Sequence, residues 1–237
     1  MASPRVTRGV LAATAGLALV SVAGQYPLSL SEGTRGFAFE TIEYFSYFTI
    51  VSNLVLAVGA ALVAKDPRRD ETWVAALRLA GLVMITVTGI IYHLLLAGDD
   101  VATGIGFYTD LGLHTIVPIL AVVGWLVVGP HRLFGWSILL RAVLLPVAWL
   151  VYALVRGAVV GEALYPFMDV AELGAAQVGA TLVAITLFAI LTSSEARATM
   201  TATGLEMAGW RGYFIHKNVM SPVIGVAVVS ILAFEVN

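Results

Sequence analysis

The chain reads as an all-α polytopic transmembrane helix bundle: a six-helix core, then a seventh C-terminal helix, with a cytoplasmic N-terminus. Three observations predict this. Only 12% of the 237 residues are charged while 59% are hydrophobic, about half the charged share of a soluble domain. Apolar runs close to the roughly 20 residues of one membrane crossing recur along the whole chain, separated by polar punctuation. The mean hydropathy is +0.94, and no interval between two runs leaves room for a soluble domain. A net charge of −2 offers nothing to a nucleic acid. The chain has no cysteine, which excludes disulfides, thiolate nucleophiles and Cys-built metal sites.

The first run extends from Val6 to Gln25. Arg5 and Arg8 flank its start and Val22-Ala23-Gly24 has the form of a signal cleavage site; a retained helix is expected, because cleavage would leave five spans in the main block. The second run goes from Glu43 to Ala64, the third from Trp73 to Ala97, the fourth from Tyr108 to Val128, the fifth from Ser137 to Arg156 and the sixth from Leu173 to Leu191. A polar stretch, Thr192 to Lys217, precedes the seventh run, Val219 to Phe234. Two domains follow: residues 1–195, a six-helix membrane domain, and residues 196–237, a cytoplasmic linker with an extra helix. Trp73, Trp125 and Trp136 read as anchors at the inner boundary.

Orientation follows from the basic residues. With the N-terminus inside, Arg5, Arg8, Lys65, Arg68, Arg69, Arg78, Arg132, Arg141, Arg197, Arg211 and Lys217 all fall on the cytoplasmic side, leaving only Arg35 and Arg156 of the thirteen Lys and Arg outside. The second helix then enters from outside, placing Thr49 about six residues down, roughly 9 Å at 1.5 Å per residue. His114 on the fourth helix lies about as deep, and His93 sits near the outer end of the third. The unusual polar groups gather in the outer half of the membrane.

An ionisable side chain inside a span is costly and by default marks a functional site. His114 is one, with Asp110 four residues earlier on the same helix face. Asp110 reads either as the group that orients His114 or as an interfacial carboxylate facing water. Ser46, Thr49 and Asn53 form a polar stripe on the second helix. They serve either as hydrogen-bonding glue between helices or as a site, with Thr49 the nucleophile, Asn53 a nearby donor and His114 the base that a weakly nucleophilic hydroxyl needs. His93, after Tyr92, reads as a second imidazole aiding the site or as an interfacial histidine bonded to a loop. His93, His114 and Asp110 would make an N,N,O set for zinc, but no close ligand motif such as H-x-x-x-H accompanies them, so neither metal nor cofactor is expected. Arg156 pairs with Asp169 or Glu162, attracts a substrate carboxylate, or snorkels to lipid phosphates.

Three segments in order, Tyr47-Phe-Thr49, Gly112-Leu-His-Thr-Ile-Val-Pro118 and Tyr165-Pro-Phe-Met-Asp169, resemble the androgen-induced gene and androgen-dependent TFPI-regulating protein family and a related bacterial group of six-helix membrane proteins. The resemblance covers roughly residues 5 to 195. It implies a membrane-embedded hydrolase of fatty acid esters of hydroxy fatty acids, with Thr49 as nucleophile and His114 as base, a threonine-dependent carboxylic ester hydrolase of lipid metabolism. Asn53, His93, Asp110, Tyr92 and Arg156 would then support the site or bind the fatty-acyl ester, and a bacterial plasma membrane would be its setting. The tail, Trp210-Arg-Gly-Tyr-Phe-Ile-His-Lys-Asn218, is similar to a segment of bacterial O-antigen ligase and polymerase-type membrane proteins. It reads as a divergent extension or as the stub of a fusion or truncated gene, because the many further helices and the large external loop of those proteins are absent. Two rival functions stand beside hydrolysis. One is a non-catalytic lipid-binding or scaffold protein. The other is a small transporter, for which the inner half of the helices lacks a continuing polar path.

Overall fold

The computed structural model describes residues 3–69, 71–97, 102–129 and 136–184. The seventh run, the tail motif, the end of the sixth run and the expected boundary at residue 195 lie outside them. The chain divides into two compact units, Met1–Val159 and Val160–Asn237.

In the first unit, α1 spans Pro4–Glu32 and starts where theory would have it start: Pro4 opens the first turn and the Ser3 hydroxyl accepts from the Val6 N–H at 3.3 Å. A turn at Gly36, whose φ of +93° favours glycine, leads to α2, Phe37–Ser46. The second run, expected as one helix from Glu43, is in fact two. It breaks at Tyr47, which is extended with ψ at 135°, and resumes as α3, Phe48–Lys65. Neither proline nor glycine marks this break. Tertiary contacts hold it instead: the Ser46 carbonyl, freed from the helix, accepts from Trp149 Nε1 at 2.9 Å, and the Ser46 hydroxyl meets Tyr152 Oη at 2.5 Å.

The third run is α4, Thr72–Ile91, extended by one π-helical turn, Tyr92–Leu96. The fourth is α5, Ile105–Leu111, a π-helical turn over Gly112–Ile116, then α6, Val117–Val128. The fifth is α7, Trp136–Val160. In the second unit a short 3₁₀ turn, Pro166–Met168, precedes α8, Val170–Ala184, and Asp169 Oδ1 caps that helix by accepting from the N–H groups of Ala171 at 2.9 Å and Glu172 at 3.1 Å.

Pro118 accounts for the π-turn in the fourth run. A proline has no N–H to give the carbonyl four residues back, which is that of His114, and its ring crowds that carbonyl. The chain widens by one residue instead, with the Val117 N–H reaching the Gly112 carbonyl. Gly89 on α4 makes room, since a Cβ there would lie 3.0 Å from the Pro118 ring and 3.2 Å from the His114 carbonyl oxygen.

Small residues bring α1, α3, α4 and α6 together. Ala15, Ala18, Ala57, Ala60 and Ala121 are buried with Leu56, Ile85 and Val117 in one cluster. This suits helices in lipid, where close van der Waals approach replaces a hydrophobic driving force. By contrast, α7 shows an exposed apolar stripe, Leu140, Leu144, Val147, Val151, Val155 and Val159, as an outer face against lipid tails should. Five of the described helices are long and apolar enough to cross a membrane: Pro4–Glu32, Phe48–Lys65, Thr72–Ile91, Ile105–Val128 and Trp136–Val160. The protein is an all-α bundle of membrane helices and an integral membrane protein.

Candidate active site

The break at Tyr47 puts Thr49 in the first turn of α3, and the π-turn below Pro118 turns His114 toward it. Thr49 Oγ1 and His114 Nε2 lie 3.2 Å apart, although 65 residues separate them in sequence. On the other side of the ring, His114 Nδ1 donates to Asp110 Oδ1 at 2.9 Å. That bond fixes the tautomer: the proton sits on Nδ1, and the lone pair of Nε2 faces the Thr49 hydroxyl. The His114 side chain is 14% exposed and that of Asp110 34%.

Tyr92, from the π-turn that ends the third run, contributes twice. Its hydroxyl donates to Asp110 Oδ2 at 2.6 Å, and its ring stacks on the His114 imidazole with centroids 3.8 Å apart and planes 6° from parallel. Both oxygens of Asp110 are therefore held, and the imidazole is fixed in plane by the carboxylate and in tilt by the tyrosine. Thr49, His114, Asp110 and Tyr92 form one continuous chain of hydrogen bonds drawn from three separate helical segments.

Asn53 does not face the Thr49 hydroxyl. Fully buried, it donates from Nδ2 to the Thr49 carbonyl at 2.8 Å and to the Leu113 carbonyl at 3.4 Å. Both N–H groups of the amide are thus engaged in tying α3 to the turn that carries His114, and none is left for an incoming oxyanion. Its Oδ1 is buried with no hydrogen-bond partner among the described residues. His93 is exposed and its Nε2 bonds Thr115 Oγ1 at 3.0 Å. It borders the site through the residue after His114. Among the described residues no group of three His, Asp or Glu is placed to hold a metal ion.

Arg156 meets a carboxylate that was not among the partners weighed from sequence. Its Nη2 donates to Glu43 at 3.2 Å, and Arg35 donates to the same carboxylate oxygen at 2.9 Å. Tyr47, the residue at the helix break, donates to the other oxygen of Glu43 at 3.3 Å. Arg156 thus pins α7 to the segment that positions Thr49.

Two hydroxyls in the site's support were not singled out in the sequence. Ser52 Oγ donates to the Thr49 carbonyl at 3.0 Å and meets Thr88 Oγ1 of α4 at 2.8 Å. Ser52 lies three residues beyond Thr49 on the same helix, a spacing that could have flagged it. Thr88 sits in an apolar run with no such cue.

No family model, no curated protein and no solved structure matches the chain.

Proposed function

We propose that this protein is an intramembrane hydrolase of lipid esters, of the type that splits fatty acid esters of hydroxy fatty acids, and a divergent relative of the androgen-induced gene and androgen-dependent TFPI-regulating protein family. One observation carries the reading: the unbroken series from the Thr49 hydroxyl through His114 and Asp110 to Tyr92. It has the nucleophile, base and orienting acid that hydrolytic triads share on unrelated folds.

In this mechanism Thr49 Oγ attacks the ester carbonyl carbon while His114 Nε2 takes its proton. The carbonyl π electrons move onto oxygen, which becomes the oxyanion. Asp110 stabilises the imidazolium across the Nδ1–H bond. Thr49 lies in the first turn of α3, where the Tyr47 carbonyl takes the N–H groups of Ile50 and Val51, and those of Phe48 and Thr49 are suited to meet the oxyanion. Collapse breaks the bond to the alcohol oxygen, which leaves with the proton from His114, and an acyl-threonine remains. Water, deprotonated by His114, then attacks the acyl carbon and releases the fatty acid with Thr49 restored. On the orientation derived from the basic residues, the ester reaches this site from the outer leaflet of a bacterial plasma membrane.

The non-catalytic lipid-binding or scaffold alternative draws on a different feature. Ser46 and Thr88 bond carbonyls of their own helices, Ile42 at 2.6 Å and Met84 at 3.1 Å, as structural hydroxyls in membrane helices do. A fluorophosphonate probe on membranes carrying wild type, Thr49→Ala and His114→Ala decides between them. Labelling confined to the wild type is expected. Labelling that survives Thr49→Ala removes Thr49 as nucleophile, and a wild type that neither labels nor hydrolyses esters leaves the scaffold reading.

A further inference from the structure

A second polar feature lies toward the opposite end of the bundle and has no part in the Thr49 chemistry. Arg78 stands on α4 six residues after Thr72, roughly 9 Å along the helix. It borders a partly open cavity of about 30 Å³ between α1, α3, α4 and α6, space for about two waters or one small oxyanion. Among the described residues no carboxylate lies within ion-pair distance of Arg78, and no hydrogen bond to its guanidinium is found. None of its nitrogens is sealed from solvent, the one buried side-chain atom without a partner being Asn53 Oδ1.

Two contacts show that this side chain is held inside the bundle rather than extended into lipid. Its Cζ lies 5.6 Å from the ring of Trp125 on α6, within range of a cation–π attraction. Gly59 on α3 packs against it, its Cβ position lying at an ordinary 3.4 Å from Arg78 Cα and Cγ. The cavity is polarised. Arg78, Thr14 and Trp125 form part of the wall, and Leu56, Leu82 and Leu120 complete it with apolar surface. Arg78 is thus an intramembrane cation with no carboxylate partner among the described residues, on the wall of a partly apolar cavity, where an anion would find a charge to meet.

We propose that this cavity binds the oxyanion head of an amphiphile from the leaflet that borders the Lys65–Arg69 end of the bundle, with Arg78 as its counter-ion. A phosphodiester headgroup and a fatty acid carboxylate share the required chemistry: an anionic group with two free oxygens that accept the forked N–H groups of a guanidinium, joined to an acyl chain for the leucine wall. The site is independent of Thr49, so its occupancy survives Thr49→Ala.

The test is native mass spectrometry of the full chain released from nanodiscs of phosphatidylcholine alone, with added phosphatidylglycerol, or with added oleate. A parallel arm records thermal melting in phosphatidylcholine with inorganic phosphate. Wild type is expected to retain phosphatidylglycerol or oleate, the favoured one identifying phosphate or carboxylate as the head. Arg78→Gln should retain it roughly fivefold less, the ratio that about 1 kcal/mol per basic residue at an anionic surface implies. Arg141→Gln, an exposed cation on α7, should retain it as wild type does. Leu82→Trp, which fills the cavity and keeps the charge, should lose it as Arg78→Gln does, and this arm stands even if Arg78→Gln does not fold. Equal retention by Arg78→Gln or Leu82→Trp, equal loss by Arg141→Gln, or stabilisation by inorganic phosphate in place of the amphiphiles would each overturn the proposal.

Discussion

Replacing Tyr92 with Phe isolates one link of the proposed relay. The substitution keeps the ring that stacks on His114 at 3.8 Å and deletes the hydroxyl that donates to Asp110 at 2.6 Å. A hydrogen bond to a charged group contributes about 1.5–3 kcal/mol. The Asp110 side chain is 34% exposed, so water takes over part of the lost bond and the lower end of that range applies. Carried into the transition state, where Asp110 must support an imidazolium, that is about a tenfold fall in kcat/KM. Asp110→Asn should cost more, on the order of 10²–10⁴-fold, because it removes the charge itself. If Tyr92 acts through Asp110, the two losses do not multiply: Tyr92→Phe introduced into Asp110→Asn should change the rate little. The assay is fatty acid release from a lipid ester by purified protein in micelles, with Thr49→Ala as the blank and a melting curve for each variant. Full multiplication of the two effects, or an unchanged rate in Tyr92→Phe alone, would refute the idea that the tyrosine positions the base through the carboxylate.

Two further predictions concern the frame around the site. A Cβ on Gly81 would lie 2.8 Å from Leu56 Cα and 3.0 Å from its backbone nitrogen, so Gly81→Ala must push α4 away from α3, at a cost of about 1–3 kcal/mol. At Gly59 the nearest contact is an ordinary 3.4 Å, and Gly59→Ala should be close to neutral in the same denaturant titration; equal effects would mean that the helices do not approach as described. At the three-way ion pair, Glu43→Gln should destabilise more than Arg156→Gln. The former leaves a guanidinium whose side chain is only 8% exposed without its carboxylate, whereas the latter leaves Glu43 still bonded to Arg35 at 2.9 Å. The reverse order in thermal melting would show that Arg156 is not held by Glu43.

Much of the architecture is legible in the sequence because membrane spans obey a one-dimensional rule. A crossing needs an apolar run of a given length whatever its neighbours are. The runs at Trp73, Tyr108 and Ser137 became helices within a few residues of their expected limits, while the helix at Val6 continues past Gln25 to Glu32. The second run shows where that rule stops. The residues around Tyr47 are apolar enough to continue a helix, and the break there depends on Trp149 and Tyr152 from a helix about a hundred residues away. Such a contact leaves no mark in local composition.

The same division runs through the site. Asp110 and His114 share a face because they are four residues apart on one helix, and a histidine within a span is conspicuous by its cost, so both could be named as candidates from sequence alone. Pro118 and Gly112 were visible too, although the π-turn that they frame was not expected. What tertiary structure alone decided is which atoms meet. It set Thr49 against the free nitrogen of His114 and brought the Tyr92 hydroxyl to the second oxygen of Asp110. It also turned the Asn53 amide onto two backbone carbonyls and gave Arg156 the carboxylate of Glu43 as a partner. Hydropathy and helical spacing specify depth and face along one helix. The rotation of one helix against the next is set by close contact at alanines and glycines such as Ala57 and Gly81, and only the folded bundle contains that information.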